Sequence, residues 1–235
     1  MDYCKSKKYN DFVKIYKNCS GPGTIELAEF LAEKMGLETG KRMLDVGFYR
    51  GYQTCFLAKE YGVNIIGIDP GGKLGDTRYG VAPLMENARE FGVEYQVFGV
   101  GTGVPESKLP AESFDYAYTT NCLHMTRVSK GEGRYLECIK EIHRLLKKGG
   151  ILGLGEPMHF DVPKDDRQYA AANVVSNVKT IAEAGFEILD SGYCDDGVRW
   201  WRDYCTNSHD MDATRYINAD EGKWLTMGFV IAVKK

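Results

Sequence analysis

Residues 42–72 read RMLDVGFYRGYQTCFLAKEYGVNIIGIDPGG and contain the parts of a ligand grip. Met43, Leu44 and Val46 form a short apolar run with strand character, which Gly47 and Gly51 break. Helix formers fill Tyr52 to Tyr61, with Cys55, Phe56, Leu57 and Ala58 as the apolar part. Gly62 ends that helix, and a second apolar run from Val63 to Ile68 stops at Asp69. Strand, glycine turn, helix, strand and acid make a βαβ unit with binding chemistry at its first turn. Glycines admit a ligand close to the backbone, a helix N-terminus offers free N–H groups, and the acid can grip a ribose diol. Asp69 lies 18 residues beyond Gly51, which suits that geometry. Glu156 and His159 follow the apolar run Ile151 to Gly155, at the strand edge where open α/β sheets bind ligands.

The rest of the chain must position these groups. At 235 residues it is long enough for one filled α/β domain. Its 43% hydrophobic and 27% charged content is ordinary for a globule. A net charge of −3 supplies no basic surplus for phosphates, so a nucleic-acid partner is not expected. The seven cysteines include no pair at C-x-x-C spacing, so neither a disulfide framework nor a zinc site is indicated. With no signal-like segment and no apolar run of spanning length, a reduced, cytoplasmic protein without membrane contact is expected.

In chain order, the periodicity predicts a helix over 25–35 with Thr24 as N-cap and Gly36 as stop. Further helices are expected from about Ala82 to Phe91, over the stripe from Tyr135 to Leu146, and around Val174, Val175, Val178 and Ile181. Lys147, Lys148 and Gly149-Gly150 read as the dipole complement and cap of the second of these. Strands are expected at 95–100, from Ser113 into 119–124, at 151–155, at 186–193 and at 224–233. Between the last two lies 194–223, too long for a hairpin loop. It carries Trp200, Trp201, Tyr204 and Tyr216 among Asp195, Asp196, Asp203 and Asp210.

An acid two residues before the first glycine, as in Asp45-Val46-Gly47, points away from nicotinamide dehydrogenases. It resembles the first motif of class I S-adenosylmethionine (SAM) dependent methyltransferases: an acid, any residue, then three alternate glycines. Here the three places are Gly47, Tyr49 and Gly51, so a tyrosine stands at the middle one. The runs Leu109-Pro110 to Phe114-Asp115 and LLKKGGILGLGEP resemble the family's signatures before and after its fourth strand. The resemblance implies a Rossmann-like, mostly parallel seven-stranded sheet with helices on both faces and an antiparallel last strand. It implies one domain over 1–235, with an N-terminal cap in 1–40 and a lid-like insert at 194–223. SAM would be the cofactor, held by Asp45, Gly47, Tyr49, Gly51, Asp69, Thr102 and Asn121. His124 and Glu156 are candidates for proton transfer, and His159, Trp200, Trp201 and Tyr204 for a small-molecule substrate. An aromatic-rich, acidic insert suits a cationic amine by cation–π attraction. The alternative that Tyr49 motivates is a protein of this fold that binds SAM or a nucleotide without catalysis.

Overall fold

The computed structural model describes residues 1–71, 79–160, 172–208 and 224–235. A 3₁₀ turn at Ser6–Lys8 opens the chain, followed by α1 (Phe12–Asn18), α2 (Thr24–Met35), β1 (Arg42–Val46), α3 (Tyr52–Tyr61) and β2 (Asn64–Ile68). Next come α4 (Val81–Phe91), β3 (Val97–Val100), β4 (Phe114–Thr120), α5 (Leu123–Lys130), α6 (Glu132–Leu145) and β5 (Leu146–His159). The last elements are α7 (Val174–Glu183), β6 (Phe186–Tyr193), α8 (Gly197–Asn207) and β7 (Leu225–Lys234). The strands form one sheet in the order β3-β2-β1-β4-β5-β7-β6. The first five are parallel, and β7 inserts antiparallel between β5 and β6. The expected seven-stranded, mostly parallel sheet with an antiparallel last strand is therefore observed.

Strand alternation divides the core. Met43, Ile65, Tyr116, Tyr118, Met227, Phe229 and Ile231 share one apolar cluster with α2, α3, α4 and α8. Leu44, Val46, Ile68, Ala117, Leu152, Leu154, Val230 and Ala232 face the other, with α6, α7 and Leu123 of α5. Successive strand residues point to opposite faces, so one run of apolar residues serves both layers. Helix α2 crosses β5 closely because β5 offers Gly153 and Gly155 there. A Cβ on Gly153 would sit 2.2 Å from Met35 Sδ.

Several boundaries differ from the sequence expectation. Helix α6 ends at Leu145, and Leu146 is extended and fully buried in parallel register with Phe114. Burying Leu146 there draws the chain into β5 early, so Gly149-Gly150 lie within the strand and do not cap the helix. Thr24 is the first residue of α2, and the cap position belongs to Gly23 in left-handed backbone. Strand β3 is shorter than expected because a turn, with the Gln96 N–H on Val93 O, uses the preceding residues. Strand β4 stops at Thr120 and a separate helix, α5, begins at Leu123. The expected insert at 194–223 is not all loop: 197–207 is helix α8, and 209–223 lies outside the described residues.

Gly51, the N-cap of α3, has φ of 76°. A Cβ there would lie 1.9 Å from Leu84 Cδ1. Gly51→Ala therefore combines a left-handed cost of about 1–2 kcal/mol with a displacement of α4. A melting experiment should show a fall of at least about 2–4 °C, the shift that 1 kcal/mol gives in a domain of this size.

Candidate functional site

The three alternate places of the first turn share one backbone state: Gly47, Tyr49 and Gly51 have φ of 84°, 55° and 76°. Left-handed backbone is routine for glycine and costs a tyrosine about 1–2 kcal/mol. Asp69 offsets that cost. Its Oδ2 accepts the Tyr49 N–H at 2.9 Å, and its Oδ1 accepts the Gly71 N–H at 2.9 Å. The Tyr49 ring stacks on Tyr79, with centroids 5.5 Å apart. The Gly80 N–H closes on Tyr49 O at 2.8 Å.

Asp45 lies on the face of β1 that meets α3. It is 2% exposed, and Thr54 Oγ1 donates to its Oδ2 at 2.6 Å. Burial, reinforced by the nearby Asp69 charge and opposed by the Thr54 hydroxyl, raises its carboxyl from the ordinary 3.8 to about 7. On the β3 side, Thr102 sits in the loop beside Pro70: a Cβ on Gly103 would lie 3.3 Å from Pro70 Cδ. The Thr102 hydroxyl reaches Glu106 O and Ser107 O only at 3.4 Å each.

The ends of β4 and β5 hold the second half of the site. Asn121 has φ of 52°, and its N–H donates to Gly155 O at 3.0 Å. A Cβ on Gly47 would lie 2.2 Å from Cys122 Sγ, so the first turn and the loop after β4 are in contact. Glu156, 1% exposed, accepts the Leu123 N–H at 2.8 Å and the Cys122 N–H at 3.3 Å on Oε1. Its Oε2 lies 2.6 Å from His124 Nδ1. The carboxylate thus caps α5, whose N-cap residue Cys122 makes no side-chain cap bond. A carboxylate only accepts, so Nδ1 carries the proton of this contact.

The structure brings His124 and Glu156 together and leaves His159 apart. His159 is three residues further along β5 and so points to the opposite face of the sheet. Trp200 and Trp201 are 2% and 3% exposed within the core cluster. Trp200 Nε1 donates to Glu26 at 2.6 Å, and Trp201 Nε1 to Thr226 O at 3.2 Å. Tyr204 lies edge-on to Trp201 and beside Tyr16 of α1. One face of Trp200 still borders a cavity of about 310 Å³ between α1, α2 and α8, with Phe12, Tyr16, Glu26 and Arg199. The acids of α8 are engaged: Asp196 and Asp203 both pair with Arg199. Sequence reading missed Thr54, Gln53 and Pro22. Their contacts run across elements, and the one legible signal was their closeness to the glycine turn and the Gly-Pro-Gly break.

The residues present fit SAM. The left-handed turn brings backbone close, α3 starts without a side-chain cap, Asp69 retains lone pairs, and Asn121 Oδ1 is a buried acceptor with no donor. Residues 44–154 match the family model described as a methyltransferase domain. Sterol 24-C-methyltransferase from Aspergillus fumigatus is 27% identical over 191 residues, which are 73% of this chain and 47% of that protein. Phosphoethanolamine N-methyltransferase 2 of Haemonchus contortus, solved with S-adenosylhomocysteine, superposes with a TM-score of 0.73 at 18% identity. That match covers 99% of this chain and 59% of the other. Residues 44–154 are thus similar to methyltransferase domains, and the sheet has the fold of a solved methyltransferase. The cyclase SpnF also shares the fold, with a TM-score of 0.71, 23% identity, and coverage of 89% and 81%. The chain spans about half the length of the sterol enzyme it matches.

Two outcomes are expected from this geometry. Tyr49→Gly removes the left-handed cost and the Tyr79 stacking together, so S-adenosylhomocysteine affinity should stay within a few-fold by calorimetry. Folded Asp45 keeps its proton where the unfolded chain has lost it, so stability declines as pH rises from about 4 to 7. Asp45→Asn should flatten that decline in urea midpoints measured across the same range.

Proposed function

We propose that the chain transfers the methyl group of SAM to a small-molecule acceptor that gives up a proton, an amine being the simplest case. The observation that carries this is the buried His124–Glu156 pair at the strand ends, beside the glycine turn. SAM supplies a sulfonium methyl for in-line displacement. Asp69 takes the ribose hydroxyls while its other lone pairs keep Tyr49 and Gly71 in place. His124 is the candidate to accept the acceptor's proton, and the Glu156 carboxylate holds the Nδ1–H and favours the imidazolium. The enclosing cap and α8 exclude water from the strand ends, which strengthens each of these interactions. The fungal relative acts, by its name, at a sterol carbon, and the nematode neighbour on phosphoethanolamine nitrogen. Carbon and nitrogen acceptors both release a proton, which a general base can take. Asp196 and Asp203 add little for a cation, since both pair with Arg199.

The test is product-based, because SpnF shows that this fold is also found in a cyclase. Methyl-labelled SAM is incubated with the protein and separate pools of amines, carboxylic acids and isoprenoid lipids. Label should appear in one pool, and release of S-adenosylhomocysteine should depend on it. His124→Ala should lower kcat about 10²- to 10⁴-fold, with S-adenosylhomocysteine affinity within a few-fold. Unchanged kcat would remove the base. Asp69→Ala should lower cofactor affinity about ten- to hundredfold, the worth of a lost charge-assisted contact of about 1.5–3 kcal/mol.

A further inference from the structure

Helix α5 carries His124 but has few apolar ties to the rest of the fold. Of its eight residues, Leu123 and His124 are buried, while Met125 and Val128 face outward. It joins α6 through the single residue Gly131, whose φ of 85° and ψ of 171° are essentially confined to glycine. A short helix on one glycine pivot turns about its axis unless something holds it. Glu156 holds the first turn, through the N–H groups of Cys122 and Leu123.

Arg127 stands three residues beyond His124, on the same side of the helix. Its side chain is 10% exposed. The guanidinium lies over the Tyr135 ring of α6, 3.7 Å from the ring centroid. Nε donates to Oε2 of Glu132, the first residue of α6, at 2.6 Å. Nη1 donates to Asn177 Oδ1 of α7 at 3.1 Å, and the Tyr135 hydroxyl donates to the same oxygen at 2.8 Å. Asn177 is 1% exposed, and its Nδ2 donates to Asn173 O at 3.1 Å. Glu132 Oε1 in turn accepts from the Thr180 hydroxyl of α7. Arg127 therefore joins α5, α6 and α7 at one point, through charge-assisted bonds and a cation–π contact. Tyr135 borders the site as well: burial raises its hydroxyl, Arg127 opposes the rise, and the neighbouring Glu156 charge adds to it.

We propose that Arg127 is a positioning residue for methyl transfer: by fixing α5 against α6 and α7 it keeps the His124 imidazole on the Glu156 carboxylate. This rests on the reading of His124 as the base. Glu156 sets where α5 begins, and a helix rotated about that point carries the ring off its 2.6 Å contact. A reacting group misplaced by about 1 Å costs up to about 10²-fold in rate. Among the described residues, the side chains of this cluster make no hydrogen bond to the glycine turn or to Asp69. Cofactor affinity should therefore not follow their loss.

The test follows the ring N–H protons by NMR in protein isotope-labelled at its four histidines, with S-adenosylhomocysteine added. An Nδ1–H held by a buried carboxylate should give a far-downfield, slowly exchanging signal, assigned by its loss in His124→Ala. Arg127→Met keeps bulk on the Tyr135 ring and removes the donors. It should move that signal upfield or lose it to exchange, and lower kcat about tenfold on the acceptor pool that takes methyl label, with S-adenosylhomocysteine affinity within about twofold. Glu132→Ala removes a half-exposed carboxylate and leaves Asn177 in place, so it should give the same changes in smaller measure, about threefold in kcat. If Arg127→Met does not fold, Glu132→Ala decides by the same readings. An unmoved signal overturns the proposal, whether or not kcat falls. A fall in kcat matched by lost S-adenosylhomocysteine affinity overturns it too, because a purely structural contact acts that way. If His124→Ala keeps full kcat, the base reading falls and the positioning role falls with it. If His124→Ala loses kcat and the folded Arg127 and Glu132 variants do not, the base stands and the positioning role alone is overturned.

Discussion

A single buried carboxylate, Glu156, holds the end of β5 to the start of α5. It is almost wholly enclosed and accepts from two backbone N–H groups and one imidazole. An ionised carboxylate is costly to bury unless its lone pairs are filled and a positive dipole faces it. The helix N-terminus and His124 meet both conditions. Removing the carboxylate would leave the first turn of α5 uncapped and the imidazole unoriented. Position and chemistry are thus set by one group, which is why the candidate base has a fixed tautomer.

The other half of the site uses the same device with a different carboxylate. Asp69 bonds the N–H groups of Tyr49 and Gly71 and so closes the turn after β1 against the loop after β2. This makes a tyrosine tolerable at a place that calls for positive φ. The ring is then directed to Tyr79. The two halves meet where Cys122 lies against Gly47, a contact that only a residue without Cβ permits.

The cap is fastened independently at both ends. Buried Glu29 of α2 accepts the N–H groups of Lys5 and Ser6 at 2.9 and 2.6 Å. Asn18 of α1 takes a hydrogen bond from Arg50 Nε at 2.9 Å, and Asn87 of α4 donates to Arg50 O at 2.7 Å. The first anchor ties the N-terminal residues to α2, and the second ties α1 to Arg50 in the glycine turn. Helix α8 completes the wall through Trp200, whose N–H bonds Glu26 at the start of α2. Among the described residues, no helix is long and apolar enough to cross a membrane.

The sequence by itself determined the order of the strands, the helices α2, α3, α4, α6 and α7, and the position of Asp69, while the parallel sheet was what the family resemblance implied. These follow from local pattern: apolar runs alternate with glycine stops, and an acid at a strand's end has one side of the sheet to occupy. Individual site candidates were legible for the same reason, since Asn121, His124 and Glu156 follow apolar runs. Their pairing was not legible. Whether Glu156 meets His124 or His159 depends on the face each occupies, and β4 was expected to run on through His124, where the chain instead starts α5. Leu146 joined the sheet because Phe114 was there to bury it, a partner over thirty residues away. Trp200 and Trp201 read as open-loop aromatics because loop and helix α8 differ only in what they pack against. Tertiary structure alone decided these points, because burial is a property of the assembled layers and no local spacing encodes which side chains will share one.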